Sequence, residues 1–494
     1  MPEVLLTHSY FLHFDPKEYR AMMPYPPLGT LYAAAYLRSR GISVALHDVS
    51  LAKQEDEIVA AIERHRPKIV VIYDDCFNYL TKMCLSRMRD AAFAMTRFAK
   101  ERECKVIIFS SDATDHVDQY LSQGADYIIC GEAEITLAEL VEHLLGNTEK
   151  TPERINGLAF HHNGVTRRTA RRAVLEDLDL LPFPAWDLVD FDRYRRAWTE
   201  RHGYFALNMV TTRGCPFHCN WCAKPIYGQV YHSRSPENVV QEMLLLKELA
   251  KPDRISFADD IFGLKSGWVT KFDDVVNRAQ AKIPFKCLSR VDLLLKEDSI
   301  RHLKNAGCGT VWIGAESGSQ QVLDAMEKGT TVEQIRAATT LLHGIGIQVG
   351  FFLQFGYPGE TKGDIESTLR MVKHCQPDEI GISVSYPLPG TTFYERVKKQ
   401  LGEKQNWVDS QDLQLMFCGE YSPDFYRTLH RVVHKKFIIW RGVRTVQALL
   451  TRPTAISPRS IRLVAAMIYH GMTLPMDLRK LSVQEKLPVA HVRK

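Results

Sequence analysis

Short, almost wholly apolar runs alternate with longer amphipathic ones along the first 150 residues. The runs are Val4-Leu5-Leu6, Val44-Ala45-Leu46-His47-Asp48, Lys68-Ile69-Val70-Val71-Ile72-Tyr73, Val106-Ile107-Ile108-Phe109 and Asp126-Tyr127-Ile128-Ile129-Cys130. Runs this short and this apolar suit strands of a parallel sheet covered on both faces. Between them, helical patterning runs from Leu28-Gly29-Thr30 through Arg38 to a stop at Gly41, from Ile58 to His65, and through Met95-Thr96-Arg97-Phe98-Ala99. The alternation predicts a doubly wound, Rossmann-like domain over residues 1–150, with ligands at the carboxyl ends of its strands.

Residues 151–200 read as a connector. Ile155 to Arg168 has hairpin character about Asn163-Gly164, and Leu181-Pro182-Phe183-Pro184-Ala185-Trp186-Asp187 is irregular. From 201 to 400 the alternation resumes, and polar or Gly/Pro-rich motifs follow each strand. Ile255-Ser256-Phe257 runs into Ala258-Asp259-Asp260, and Phe285 to Leu288 into Ser289-Arg290. Thr310 to Gly314 runs into Ala315-Glu316-Ser317-Gly318-Ser319, and Val349 to Phe355 into Gly356-Tyr357-Pro358-Gly359-Glu360-Thr361. Ile380 to Val384 runs into Tyr386-Pro387-Leu388-Pro389-Gly390. With Phe205 to Val210 in front, this makes about six βα units whose strand ends form an active face. Residues 401–494 read as helical, one helix opening with Ser422 at its cap and Pro423 at its first position.

A chain of 494 residues is long enough for two or three domains, and 45% hydrophobic with 24% charged residues is a soluble globular balance. Met1-Pro2-Glu3 runs straight into the first strand, no apolar run approaches the ~20 residues of a spanning helix, and a cytoplasmic protein is expected. Net charge is only +5, but 13 Lys and Arg face just Asp477 and Glu485 between Arg431 and Lys494. Such a tail suits acidic lipid, nucleic acid or an acidic partner, and equally a solvated helical face. The stretch Ile461 to Tyr469, apolar on one side, fits peripheral contact with a membrane surface or, more commonly, packing against the rest of the fold.

Of 11 cysteines only Cys215, Cys219 and Cys222 cluster, in Thr211-Thr212-Arg213-Gly214-Cys215-Pro216-Phe217-His218-Cys219-Asn220-Trp221-Cys222. The scatter of the others argues for a reducing compartment over a disulfide framework. A structural zinc site wants four closed ligands; His218 and His232 are near enough to consider, but His218, caught between two cysteines, is badly placed to be the fourth. A [4Fe-4S] cluster also has four irons, so three thiolates leave one iron open. A chance trio of buried cysteines is the plain alternative.

This loop resembles the signature of the radical S-adenosylmethionine (SAM) enzymes. The resemblance implies that SAM chelates the fourth iron of a [4Fe-4S] cluster held by Cys215, Cys219 and Cys222. Electron transfer then cleaves SAM to a 5′-deoxyadenosyl radical, which takes hydrogen from substrate. It also implies a partial (β/α)6 TIM-like barrel, with Asp259 and Asp260 near the methionine amine and Arg290 near the carboxylate or paired with Asp292. Glu316 and Ser317 lie in the SAM-contacting loop, and Gly356 and Pro358 in the turn beside the adenine. Plain readings stand beside these: a solvated carboxylate pair, a carboxylate at a helix N-terminus, a strand-to-helix turn.

Pro26-Pro27-Leu28-Gly29 and Gly124 to Glu134 resemble the cobalamin-binding domain of the B12-dependent members of that family. There is no D-x-H-x-x-G run, so the resemblance implies cobalamin without a histidine below the cobalt. Ser110-Ser111 stands where relatives carry a glycine pair, leaving less room for close approach. The whole chain resembles the group holding the anaerobic magnesium-protoporphyrin monomethyl ester cyclase and the cobalamin-dependent C-methyltransferases. It implies methyl transfer to an unactivated carbon, or else oxidative cyclisation. The expected partners are a small-molecule, lipid or tetrapyrrole substrate and a reductant such as flavodoxin or ferredoxin. Nucleic acid is not expected. A non-catalytic iron–sulfur carrier or sensor is the remaining alternative.

Overall fold

In the computed structural model, which describes residues 1–451 and 457–486, seven strands form the first sheet. The strands are β1 (Val4–Thr7), β2 (Val44–Leu46), β3 (Ile69–Tyr73), β4 (Lys105–Phe109), β5 (Tyr127–Ile129), β6 (Leu158–His162) and β7 (Val165–Arg168). Their order is β2-β1-β3-β4-β5-β6-β7. The first five are mutually parallel, and every residue of β1 and β3 is buried, as expected of strands covered on both faces. The hairpin β6–β7 continues this sheet by pairing antiparallel to β5. Leu158 and Phe160 are buried in it, and Asn163 and Gly164 both take positive φ at its turn (52° and 77°), as a type I′ turn requires. The proline-rich stretch beyond it is irregular apart from two single 3-10 turns.

The second sheet holds β8 (Ala206–Met209), β11 (Arg254–Phe257), β12 (Phe285–Ser289), β13 (Cys308–Glu316), β14 (Gln348–Phe355) and β15 (Glu379–Val384). All six are parallel and neighbours in sequence order, so the sheet curls as an open, partial barrel. Between β8 and β11 a two-residue antiparallel ladder, β9 (Thr212–Arg213) with β10 (His232–Ser233), pinches off the loop that carries the three cysteines. The helix Pro236–Leu249 follows, opened by the Ser235 cap.

Polar anchors buried between apolar layers join the two sheets. Trp198 Nε1 donates to Pro24 O (2.7 Å), and Asn208 Nδ2 donates to Pro26 O (3.1 Å). Arg213 reaches from β9 into the first domain. There its guanidinium is shared by Glu132 and Glu134, at the start of the helix Glu134–Leu144, with the Glu134 bond at 2.7 Å. The rings of Tyr227, Tyr32 and Phe77 lie 5.2, 5.6 and 5.7 Å from the guanidinium carbon.

Helix begins only at Pro423 in the C-terminal region; residues 401–422 are irregular, in keeping with their Gly, Asn, Asp and Ser content. This segment straps the two units together. Ser410 donates through N and Oγ to Asp15 (2.9 and 2.7 Å), and Asn406 Oδ1 accepts from Arg89 (2.9 Å). Two long helices, Pro423–Thr451 and Pro458–Glu485, then run antiparallel, joined by Lys435 to Thr473 and Asp477 (2.8 and 2.7 Å). The end of the basic tail, 487–494, lies outside the described residues.

Removing Arg213 strands two buried carboxylates. Arg213→Ala is expected to lower stability by about 3–5 kcal/mol in denaturant unfolding. Arg213→Met combined with Glu132→Gln and Glu134→Gln recovers most of that, because no buried charge is then left unpaired.

Candidate active site

The cysteine loop departs from the carboxyl edge of the barrel under tight local control. Gly214 has φ +80°, and a side chain there would run into Val230 O. Cys215 is buried, whereas Cys219 and Cys222 are half-buried. None is in a disulfide, and Cys219 O accepts from Cys222 N at 3.3 Å. Burial, then the neighbouring Asp260, push the Cys222 thiol up to about 12; burial also raises Cys215. Ligation by a cationic centre is what makes such thiols thiolates. His218 is exposed, and among the described residues no three His, Cys, Asp or Glu side chains converge on a single-ion site. Three sulfur donors on one loop, each in the field of the others, fit a multi-iron cluster with one iron left over.

Asn220 holds this loop in place, and the spacing of the cysteines gives no hint of that. It is 4% exposed. Its N donates to Met326 O (3.1 Å), and its Nδ2 to Ala325 O (2.8 Å) and Glu327 (3.1 Å). Its Oδ1 lies 2.9 Å from Tyr357 OH, and its O accepts from Phe393 N (2.9 Å). The motif Gly356 to Thr361 therefore reaches the cluster loop through Tyr357, while Pro358 is exposed.

The carboxylates have separate duties. Asp259 is buried and accepts from Thr211 N, Thr212 N and both threonine hydroxyls (2.6–3.1 Å). It shapes the exit of β8 toward Cys215, and burial raises its carboxyl to about 6 despite those bonds. Asp260 is the accessible one, 40% exposed and 2.7 Å from Lys82. Lys82 comes from the first domain, in the short helix Tyr79–Lys82. Arg290 pairs with Asp292 (3.0 Å), donates to Lys328 O (3.1 Å) and lies over the Phe217 ring at 3.6 Å.

Glu316 ends β13 at a bulge with φ +54°, a backbone strain that turns its side chain out of the strand alternation. Its Oε1 accepts from Lys328 Nζ at 2.8 Å. Burial opposes charge on Lys328, but Glu316 holds its ammonium above the usual range, and the ammonium lies 5.8 Å from the Trp221 ring. The only cue to Lys328 in the chain is a lysine ahead of Gly329-Thr330. Ser317 is fully buried, 3.1 Å from Thr368 Oγ1, and accepts from Ser319 N, so it braces the loop from inside. Gly356 N–H donates to Glu360 (2.6 Å), whose other oxygen has no hydrogen-bond partner among the described residues; burial pushes that carboxyl up to about 8.

A small open cleft lies where the first domain meets the cysteine loop, lined by Cys76, Lys82, Gly214, Lys224, Tyr227 and Asp260 among others. Cys76 Sγ sits 2.9 Å from Tyr227 OH. The histidines of the first domain's ligand edge are engaged or withdrawn. His8 binds Asp48 (3.0 Å), and His116 binds Asp112. Burial lowers His47 to about 4. After β4, Ser110 caps the short helix Ser111–Asp115 (2.8 Å to Ala113 N), and Asp112 forms a two-pronged pair with Arg89 (2.5 and 2.6 Å). His8 and His116 are thus engaged, whereas His47 Nε2 is buried without a hydrogen-bond partner among the described residues.

Residues 209–372 match the family described as the radical SAM superfamily, and residues 21–141 match the B12 binding domain. The chain is similar to an uncharacterized methyltransferase of Pyrococcus horikoshii, 28% identical over 395 residues, 77% of this chain and 81% of that one. It is also similar to the anaerobic magnesium-protoporphyrin IX monomethyl ester cyclase of Synechocystis sp., 25% identical over 378 residues, covering 75% and 72%. Among solved structures, the cobalamin-dependent S-adenosylmethionine radical enzyme OxsB with aqua-cobalamin bound shares the fold. It has a TM-score of 0.71 over 97% of this chain and 72% of that chain, at 16% identity.

If Asn220 positions the loop, Asn220→Ala removes two side-chain donations and the Tyr357 contact. A loss of about 1–3 kcal/mol is expected in thermal unfolding. Iron and sulfide retained per chain after anaerobic reconstitution and desalting should fall with all three cysteines intact.

Proposed function

The chain is a radical SAM enzyme with a B12-binding domain, and from that premise we propose that it transfers a methyl group to an unactivated carbon of a small molecule. When bound, the cluster with SAM supplies a 5′-deoxyadenosyl radical, and cobalamin supplies a carrier for the methyl group. The observation that carries this reading is the cleft: the edge of the first domain, through Cys76 and Lys82, and the cysteine loop line one cavity.

In this reading Cys215, Cys219 and Cys222 hold the cluster, with Gly214 and Asn220 fixing the loop. Asp260 would accept from the SAM ammonium in place of Lys82, and Arg290 and Lys328 would supply cations for its carboxylate. Glu316 takes the ribose hydroxyls or the amine. Gly356 belongs to the turn beside the adenine, and Pro358 forms its outer corner. Asp259 and Ser317 act at one remove, as positioning residues for the loops after β8 and β13. Tyr227, Phe77 and Tyr32, stacked about Arg213, exclude water from behind the cluster loop. The working compartment is the cytoplasm, with a flavodoxin- or ferredoxin-type reductant.

Oxidative cyclisation is the second reading. The loop after β4 favours it, because Ser110-Ser111 and the Asp112–Arg89 pair fill a position where glycines would leave room. An anaerobic, reduced reaction with SAM and cobalamin separates the two when 5′-deoxyadenosine and S-adenosylhomocysteine are quantified together. Both products are expected. Deoxyadenosine alone supports the cyclase-type reading. Neither product, in protein shown to hold its cluster, leaves an iron–sulfur carrier. In protein labelled with 15N-histidine, the electron paramagnetic resonance spectrum of bound cobalamin in its cobalt(II) state is expected to be the same as in unlabelled protein; a nitrogen splitting that changes with the label would contradict the reading without a histidine ligand.

A further inference from the structure

We propose that the outer face of the last helix, Pro458–Glu485, docks this protein on an anionic lipid surface. This inference stands apart from the chemistry proposed above. The helix is apolar on two opposite sides. One side packs on Pro423–Thr451, with Met467 against Gly442 and Thr473 bonded to Lys435. The other faces outward, and no described residue covers it. Ile461, Ile468, Tyr469, Met472, Met476 and Val483 are each 54–68% exposed. Their spacing keeps them within one stripe of an α-helix about 33 Å long.

The charges sort with the faces. The two acidic residues of the helix, Asp477 and Glu485, both turn away from the stripe. Asp477 pairs with Lys435 (2.7 Å) and Arg431 (3.6 Å), and Glu485 pairs with Lys362 (3.1 Å). Arg462, Arg479 and Lys480 are exposed on or beside the stripe. The outward face is thus apolar with basic flanks and, among the described residues, carries no acid. That composition, with an aromatic ring at the edge, is what an anionic bilayer interface takes up in its plane. A second copy of the chain fits it worse, because pairing two such stripes brings basic flanks together with no acid among the described residues to meet them. Among the described residues no helix is long and apolar enough to cross a membrane, and the contact proposed is peripheral.

The test is co-sedimentation of the full chain with vesicles of phosphatidylcholine alone or mixed with phosphatidylglycerol. Binding to the anionic vesicles is expected, released by salt and weak on neutral ones. Met472→Asp should abolish it. Arg479→Glu with Lys480→Glu should lower the partition at least about tenfold, at roughly 1 kcal/mol per basic residue near the surface. All three substitutions are at exposed positions, so unchanged circular dichroism and melting establish that the variants are folded. No sedimentation with either vesicle overturns the proposal, as does equal binding to both. A dimer that Met472→Asp dissociates, without vesicle binding, assigns the face to a second copy instead.

Discussion

A guanidinium placed between two carboxylates in a dry interior is the constraint on which this architecture turns. Arg213 is 3% exposed, and Glu132 and Glu134 are equally withdrawn. Such a cluster is a weak source of net stability, since desolvating three charges opposes their attraction. What it supplies is position. Arg213 lies two residues before Cys215, and the carboxylates lie just after β5, so the pair sets the cysteine loop against the ligand edge of the first sheet. Mispairing leaves buried charge, which rules out neighbouring registers more effectively than an apolar contact would. The aromatic rings around the guanidinium complete its enclosure, and one of them, Tyr227, also lines the cleft.

The same economy of position recurs at the barrel edge. Of the two adjacent aspartates, one is turned inward to fix the threonines that lead into the loop, and the other is left accessible and paired across the domain boundary. Glu316 adopts a strained backbone to reach Lys328. Asn220 uses its backbone and side chain to tie the loop to three separate segments. Strain and buried polar groups of this kind persist where the surrounding structure over-determines them, and here they lie in the cysteine loop and the loops at the carboxyl edge of the barrel.

The strands were legible because parallel strands covered on both faces must be apolar throughout, and runs such as Ile69–Tyr73 have no other good reading. That the three cysteines share one loop was legible because they lie within eight residues of one another. The division of labour between Asp259 and Asp260 was not, since which carboxylate turns inward depends on two threonines of another strand. Lys328, Asn220 and Arg213 act on partners far along the chain, and no local pattern marks them. The irregular strap at 401–422 was read with the helices after it because its Asp15 and Arg89 partners lie nearly four hundred and just over three hundred residues away. The hairpin β6–β7 was visible as a hairpin, but its attachment to β5 is a tertiary fact.

The account rests on a cluster with one iron free of protein ligands. The direct measurement is the electron paramagnetic resonance spectrum of the reduced, reconstituted protein before and after SAM is added. The account predicts a [4Fe-4S] signal whose g-values shift when SAM occupies the open iron, and loss of the signal when Cys215, Cys219 and Cys222 are replaced together. A signal that SAM leaves unchanged, in protein holding a full cluster, would mean that a fourth protein ligand closes the site and would contradict it.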